Sequence, residues 1–225
     1  MQVWVTVHDH EEVPENVRPH PLLPILLAAA AGVFPPVDGR AVFLPALTGG
    51  LQAVVSFTGH AVLATSLTER DFTGLTLDGF GAALRPAVLQ RLAGPDGDIG
   101  VVNATLVACG TGGGRMPVRT DLDDHPRVRH AIGLRQRVRV HGDHRGLVTL
   151  ADGLAGRLEV SVEAFEQGAG AGRALIEEAL QLVPAGEPAF AAVSPGNARS
   201  LRAFLAVGFR PLGSEVQITR RTSPS

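Results

Sequence analysis

An α/β fold is predicted for this chain by three observations. From Asp124 onward, runs with helical spacing alternate with runs of strand spacing. The strand-like run Arg157-Leu158-Glu159-Val160-Ser161-Val162 leads into the glycine turn Gln167-Gly168-Ala169-Gly170-Ala171-Gly172, and the amphipathic run Ala174 to Val183 follows directly. The stretch from Val37 to Gly110 carries its own strand and helix signals in the order β-β-α-β.

Composition narrows the class. The chain has 225 residues, of which 45% are apolar and 19% charged with both signs mixed, so it can bury a proper core. A formal charge of −2 gives no basic footprint for nucleic acid. The single cysteine, Cys109, has no internal partner and fits a reducing cytosol. The longest apolar run, Pro21 to Phe34, is too short to span a bilayer and is broken by Pro24. Acidic residues and histidines precede it, unlike a signal peptide. A soluble cytoplasmic protein is expected, with neither membrane nor nucleic acid as partner.

The elements follow in order. Val3, Val5 and Val7 alternate as in a strand, and Leu22 to Ala31 is an alanine-rich helix ended by Gly32 and Pro35-Pro36. His8-Asp9-His10-Glu11-Glu12 has metal-ligand residue types, but adjacent donors on an extended run rarely converge on one ion. A solvated loop is the favoured reading there, and no metal is expected. A hairpin is predicted from Ala53–Phe57 and Ala61–Ala64 around Thr58-Gly59-His60, then a helix from about Phe80 to Leu92 and a strand from Val101 to Ala108. Gly110 to Arg115 is glycine-rich but precedes Pro117 and an acidic stretch, so it reads as a flexible connection. The remainder reads as a helix (His125 to Leu134), strands at Gln136–His141, Leu147–Leu150 and Gly156–Glu163, the glycine turn and its helix, a strand at Ala189–Val193, a helix at Ala198–Val207 and a last strand at Glu215–Thr219. Two parts are expected: an N-terminal α/β half over residues 1–115 and a second domain over residues 116–225.

A strand, a glycine turn and a helix start form a socket for phosphates, because backbone N–H groups and the helix dipole both favour an anion there. The spacing discriminates between nucleotide folds. A dinucleotide fingerprint needs G-x-G-x-x-G, but Arg173 stands three residues after Gly170 and Leu175 three after Gly172. The Gly-Lys-Ser/Thr triplet of a Walker loop is absent from the sequence.

The motif present, Q-G-A-G-A-G-R-A-L, resembles the acetyl-coenzyme A loop Q/R-x-x-G-x-G/A of the GNAT N-acetyltransferase superfamily. A second block agrees with it: Ser194-Pro195-Gly196-Asn197-Ala198-Arg199-Ser200-Leu201, then Phe204 and Gly208-Phe209, is similar to the family's Asn-x-x-Ala/Ser, aromatic and Gly-Phe block. The resemblance covers roughly residues 120–225. It extends to bacterial members with an extra N-terminal half, which can be read as a degenerate copy of the same fold.

The resemblance implies a fold of α+β type: a mixed, mostly antiparallel, splayed sheet flanked by helices. It implies acetyl-coenzyme A as co-substrate, with no metal. The strand around Val160 and Val162 would pair through its backbone with the pantetheine arm. Gln167, Gly168, Ala169, Gly170, Ala171 and Gly172 would wrap the pyrophosphate, the glycines admitting close backbone approach. Arg173 would either supply charge to the phosphates or be a solvated first-turn residue. Asn197 would cap the following helix and bond the cofactor arm.

The implied reaction is direct attack of a primary amine on the thioester within a ternary complex. An amine with a pKa near ~10.4 must first lose a proton. Glu159 is the candidate base, with Glu163 on the same strand face and His141 and His144 by a hairpin turn as alternatives. The Val162 backbone N–H would stabilise the oxyanion. Many members protonate the departing thiolate with a tyrosine; the position here is Phe204, and the chain has no tyrosine. A thiol pKa near ~8.5 makes that protonation worth roughly 2 kcal/mol at neutral pH, which water or Ser200 could supply. Two functions stay open: an N-acetyltransferase acting on an unidentified amine, and a non-catalytic acyl-coenzyme A binder. Acceptor specificity is expected from the N-terminal half and from His125 to His144, and a homodimer is left open.

Overall fold

The computed structural model describes residues 19–166 and 170–220. The strand expected at Val3–Val7 and the cluster His8 to Glu12 lie outside the described residues. Among those described, ten strands join in one sheet, in the order β1-β3-β2-β10-β5-β9-β8-β7-β6, with the short β4 (Asp98–Ile99) beside β10. The ranges are β1 Ala41–Leu44, β2 Gln52–Phe57, β3 His60–Ala64, β5 Asn103–Cys109, β6 Gln136–Asp143, β7 Gly146–Asp152, β8 Leu158–Ala164, β9 Pro188–Val193 and β10 Arg210–Thr219. All neighbours are antiparallel except β1 with β3 and β8 with β9. The fold is therefore mixed α/β with a mostly antiparallel sheet, flanked by five helices among the described residues.

The sheet does not stop at the expected boundary between residues 115 and 116. β10, from the C-terminal stretch, lies between β2 and β5, and β5, from the N-terminal stretch, lies between β10 and β9. The core is shared in the same way, with Leu22, Val55 and Val62 packing in one cluster with Leu154, Phe190 and Leu212. That boundary separates neither sheet nor core.

Side-chain alternation distributes the helices. Leu106, Val160 and Ala191 point to the face covered by α4 (Ala171–Leu182) and α5 (Ala198–Val207), through Leu175, Ile176, Ala179 and Phe204. The opposite face carries α1 (Leu22–Ala30), an apolar helix that buries Leu22, Leu26 and Ala29 at i, i+4, i+7 spacing. It also carries α3 (Pro126–Leu134), whose Val128 packs on Val140 and Leu147.

The helix expected from Phe80 to Leu92 is shorter. Proline disfavours helical backbone in the residue before it, and Arg85 is extended, at φ −67° and ψ 145°. The α-helix α2 therefore begins at Pro86 and ends at Ala93, after a separate 3-10 turn over Ala82–Leu84.

Candidate active site

The two edges of β8 differ. Against β7 it is paired along its whole length, from Leu158 opposite Asp152 to Ala164 opposite Gly146. Against β9 it makes one register pair, Glu159 with Phe190, and the two parallel strands diverge beyond it. The Phe165 N–H donates to the Arg145 carbonyl on the β7 side, at 3.0 Å. Backbone groups alternate in direction along a strand, so the N–H groups of Glu163 and Ser161 turn the same way, and that of Val162 turns into the gap.

Parallel strands end at the same edge, so the helices after β8 and β9 both start beside this gap, the usual place for a ligand in such a sheet. α4 begins after Gly170, which is in the left-handed region at φ +76°. Its N-cap, Gly170, has no side chain to cap it and its first turn holds no acidic residue, which among the described residues leaves its first N–H groups to an anion. A Cβ at Gly170 or Gly172 would meet nothing within 4 Å, so the floor of the turn is open. At the start of α5, the Asn197 side chain accepts a hydrogen bond from the Ser200 N–H at 3.1 Å. Open N–H groups at one end and a free strand edge at the other suit a phosphate joined to an extended amide arm. These residues fit acetyl-coenzyme A.

Most of the expected cofactor residues thus gather at one edge of the sheet. Val160 and Val162 direct their side chains to α4, leaving their backbone to the gap. Gly170, Ala171, Gly172 and Arg173 form the start of α4, and Asn197 the start of α5. Gln167, Gly168 and Ala169 lie outside the described residues. Arg173 is exposed, and its Nε donates to Glu177 at 2.9 Å, one turn along the helix.

Glu159 has a different role from the one expected. Its carboxylate is 1% exposed. Oε1 accepts from Arg157 Nε at 3.0 Å, Arg157 Nη2 at 2.8 Å and the Leu154 N–H at 3.1 Å, while Oε2 accepts from Arg135 Nε at 2.8 Å. Burial alone would raise its pKa, but the charges of Arg157 and Arg135 outweigh burial and hold it below the ordinary carboxylate value. Gly153 crosses so closely that a Cβ there would lie 2.1 Å from the Glu159 carboxyl carbon. An anion so enclosed has no open oxygen to offer an amine. Arg157 continues the network to Glu215 at 2.7 Å, lies 5.0 Å above the Phe190 ring, and Glu215 accepts from Thr105 Oγ1 at 2.6 Å.

The other candidates separate clearly. His141 lies on β6, two strands from the gap, with Nδ1 3.1 Å from the Met116 carbonyl. His144 is exposed in the β6–β7 turn. Phe204 is buried edge-on against Phe209, with ring centroids 4.9 Å apart. Glu163 stands next to Val162 with a half-exposed carboxylate, 3.0 Å from Arg127 Nε and 3.9 Å from His125 Nε2. The His125 ring in turn lies 6.0 Å from Phe165. Sequence reasoning named Glu163 but missed its Arg127 partner, 36 residues away. Only the packing of α3 over β6 and β7 brings them together.

Among the described residues, no group of three or more His, Cys, Asp or Glu side chains could hold a metal ion, and no helix is long and apolar enough to cross a membrane. No protein-family model and no curated protein matches the sequence. Three solved structures are similar to parts of it. One, described as an acetyltransferase of the GNAT family from Novosphingobium aromaticivorans, shares 15% identity over 57% of this chain and 69% of its own, with a TM-score of 0.36. A conserved protein of unknown function from Staphylococcus epidermidis shares 11% identity over 61% of this chain and 68% of its own, at a TM-score of 0.38. A GCN5-related N-acetyltransferase from Kribbella flavida shares 14% identity over 90% of this chain and 95% of its own, at a TM-score of 0.36. Likeness of this extent defines neither substrate nor activity for the present chain.

Proposed function

We propose that the protein is an N-acetyltransferase that moves an acetyl group from acetyl-coenzyme A to a primary amine by direct attack in a ternary complex. The observation that supports this most is the single register pair between β8 and β9. It leaves a strand edge free beside the N-terminus of α4, which begins after Gly170. When bound, the thioester supplies an activated acetyl group.

The chain's own residues then have distinct tasks. The first N–H groups of α4 and the turn before it seat the phosphates, and Asn197 bonds the cofactor arm. The Val162 N–H donates to the carbonyl oxygen as negative charge develops there. Glu163 takes the proton from the attacking ammonium, directly or through water. This assignment replaces Glu159, because Glu163 is half exposed next to Val162 on β8 and Glu159 is enclosed. As the C–S bond breaks, water protonates the departing thiolate, since Phe204 offers no hydroxyl.

A second reading, non-catalytic binding of acyl-coenzyme A, is favoured by that buried Phe204 in a chain without tyrosine. Calorimetry with acetyl-coenzyme A tests what the two share: heat of binding is expected, and none at millimolar ligand would overturn both. Thiol release across a panel of amines separates them. At least one amine should exceed the protein-free rate; blank rates throughout leave only the binder.

A further inference from the structure

A cavity of about 790 Å³ lies on the α1 and α3 face, at the other end of β8 from the diverging strands. It opens where β8 begins, where β7 and β10 end and where β6 begins, between the start of α1 and the end of α3. β8 spans seven residues, so the cavity lies roughly 20 Å along the strand from the turn that precedes α4. Its size is that of a small-molecule site.

The two non-glycine residues with positive φ among those described, Arg137 at +50° and Ala155 at +59°, both line it. The β6–β7 register also shifts between Gln136 and Arg139. Such backbone is energetically costly and tends to collect at binding sites. Here it frames a polar rim. Arg135 gives its Nε to Glu159 but no protein acceptor takes its two Nη nitrogens among the described residues, although its side chain is only 13% exposed. Arg137 stands next to it, paired with Asp152. Leu23, Leu51 and Leu154 supply an apolar wall.

Charge decides the class of ligand. Arg135, Arg137 and Asp152 line the cavity; Arg135 is paired with Glu159 enclosed behind it and Arg137 with Asp152, so the wall is balanced before anything binds. A bare anion or cation would upset that balance, whereas a zwitterion would not. We propose that this cavity binds a free α-amino acid with an apolar side chain. Its carboxylate would bond the Nη nitrogens of Arg135 with Arg137 beside them, its ammonium would meet Asp152, and its side chain would lie on the leucines. The site is independent of the cleft between β8 and β9.

The test is calorimetric titration of the full chain with L-leucine, leucinamide and 4-methylpentanoate. Leucine should bind, and each analogue, lacking one charged end, should bind at least about tenfold more weakly. Ala46→Trp should fill the cavity and abolish leucine binding, while acetyl-coenzyme A binding stays at its wild-type value. Arg137→Ala, on an exposed side chain and with circular dichroism as a check of folding, should weaken leucine but not leucinamide. No heat with leucine, equal affinity for all three compounds, or unchanged leucine binding in folded Ala46→Trp would each overturn the proposal. Loss of acetyl-coenzyme A binding by the wild type would instead count against the cleft.

Discussion

Arg157 and Glu159, two residues apart at the start of β8, are joined through both Nε and Nη2 of the guanidinium to a single carboxylate oxygen, with neither side chain reaching solvent. This pair fixes the closed end of the two parallel strands, since Glu159 is the β8 residue in register with Phe190 and Arg157 lies over the Phe190 ring. A group that holds the strands together where they meet is poorly placed to move protons where they part.

Removing one side of this pair should be costly. Arg157→Leu leaves Glu159 and Glu215 buried beside each other's charge, and a loss of about 3–5 kcal/mol is expected. Urea denaturation measures it. A loss under about 1 kcal/mol would mean that solvent enters the network.

Acid should weaken the fold through the same residue. Because the folded pKa of Glu159 is lowered, its stabilisation is fully present above the unfolded carboxyl value of about 4.3 and is lost as pH falls through the folded value. Thermal midpoints measured between pH 7 and pH 3 should fall less steeply in Glu159→Gln than in the wild type. Parallel curves for the two proteins would contradict this sign.

Gly172 offers a test in which stability and binding move in opposite directions. It lies in the first turn of α4, and an added Cβ would meet no protein atom. Gly172→Ala should therefore raise stability by up to about 1 kcal/mol from helix propensity alone. The same methyl group should lower acetyl-coenzyme A affinity by crowding the phosphates. If affinity is unchanged in the stabilised protein, the phosphates are not seated there.

The oxyanion role proposed for Val162 can be isolated from the ladder. Its N–H points into the gap, so Val162→Pro removes that donor without breaking a bond to β7. Turnover should drop by about 10²–10³-fold with little change in acetyl-coenzyme A affinity. A rate within a fewfold of wild type would assign the donor elsewhere.

The two glutamates of β8 should respond differently to neutralisation. Glu163→Gln should lower thiol release at neutral pH by about 10²-fold and leave the urea midpoint nearly unchanged. Glu159→Gln should do the reverse. The pattern exchanged between the two would restore Glu159 as the base.

Much of the fold was legible because it depends on local signals. The hairpin of β2 and β3, the helices α1, α3, α4 and α5, and the strands from β6 to β10 follow from residue periodicity, glycine stops and, at α5, the Asn197 cap. The start of α2 was readable in principle from Pro86, whose effect on Arg85 outweighs the apolar spacing before it. β1 and β4 are short, with four and two residues, and too few positions to show a period. The Asn197 cap was read as such, and the glycine turn pointed to the free end of α4.

By itself, the sequence determined the element types, the helix beginning at the glycine turn and the absence of a tyrosine, since each rests on neighbouring residues. Only the tertiary structure decided that β5 and β10 interleave across the two expected halves, that Glu159 is locked between Arg157 and Arg135, and that Glu163 meets Arg127. These depend on contacts between residues far apart in the chain, such as Thr105 with Glu215, 110 positions away. The energy of a buried charge is set by what surrounds it, and no local pattern records that.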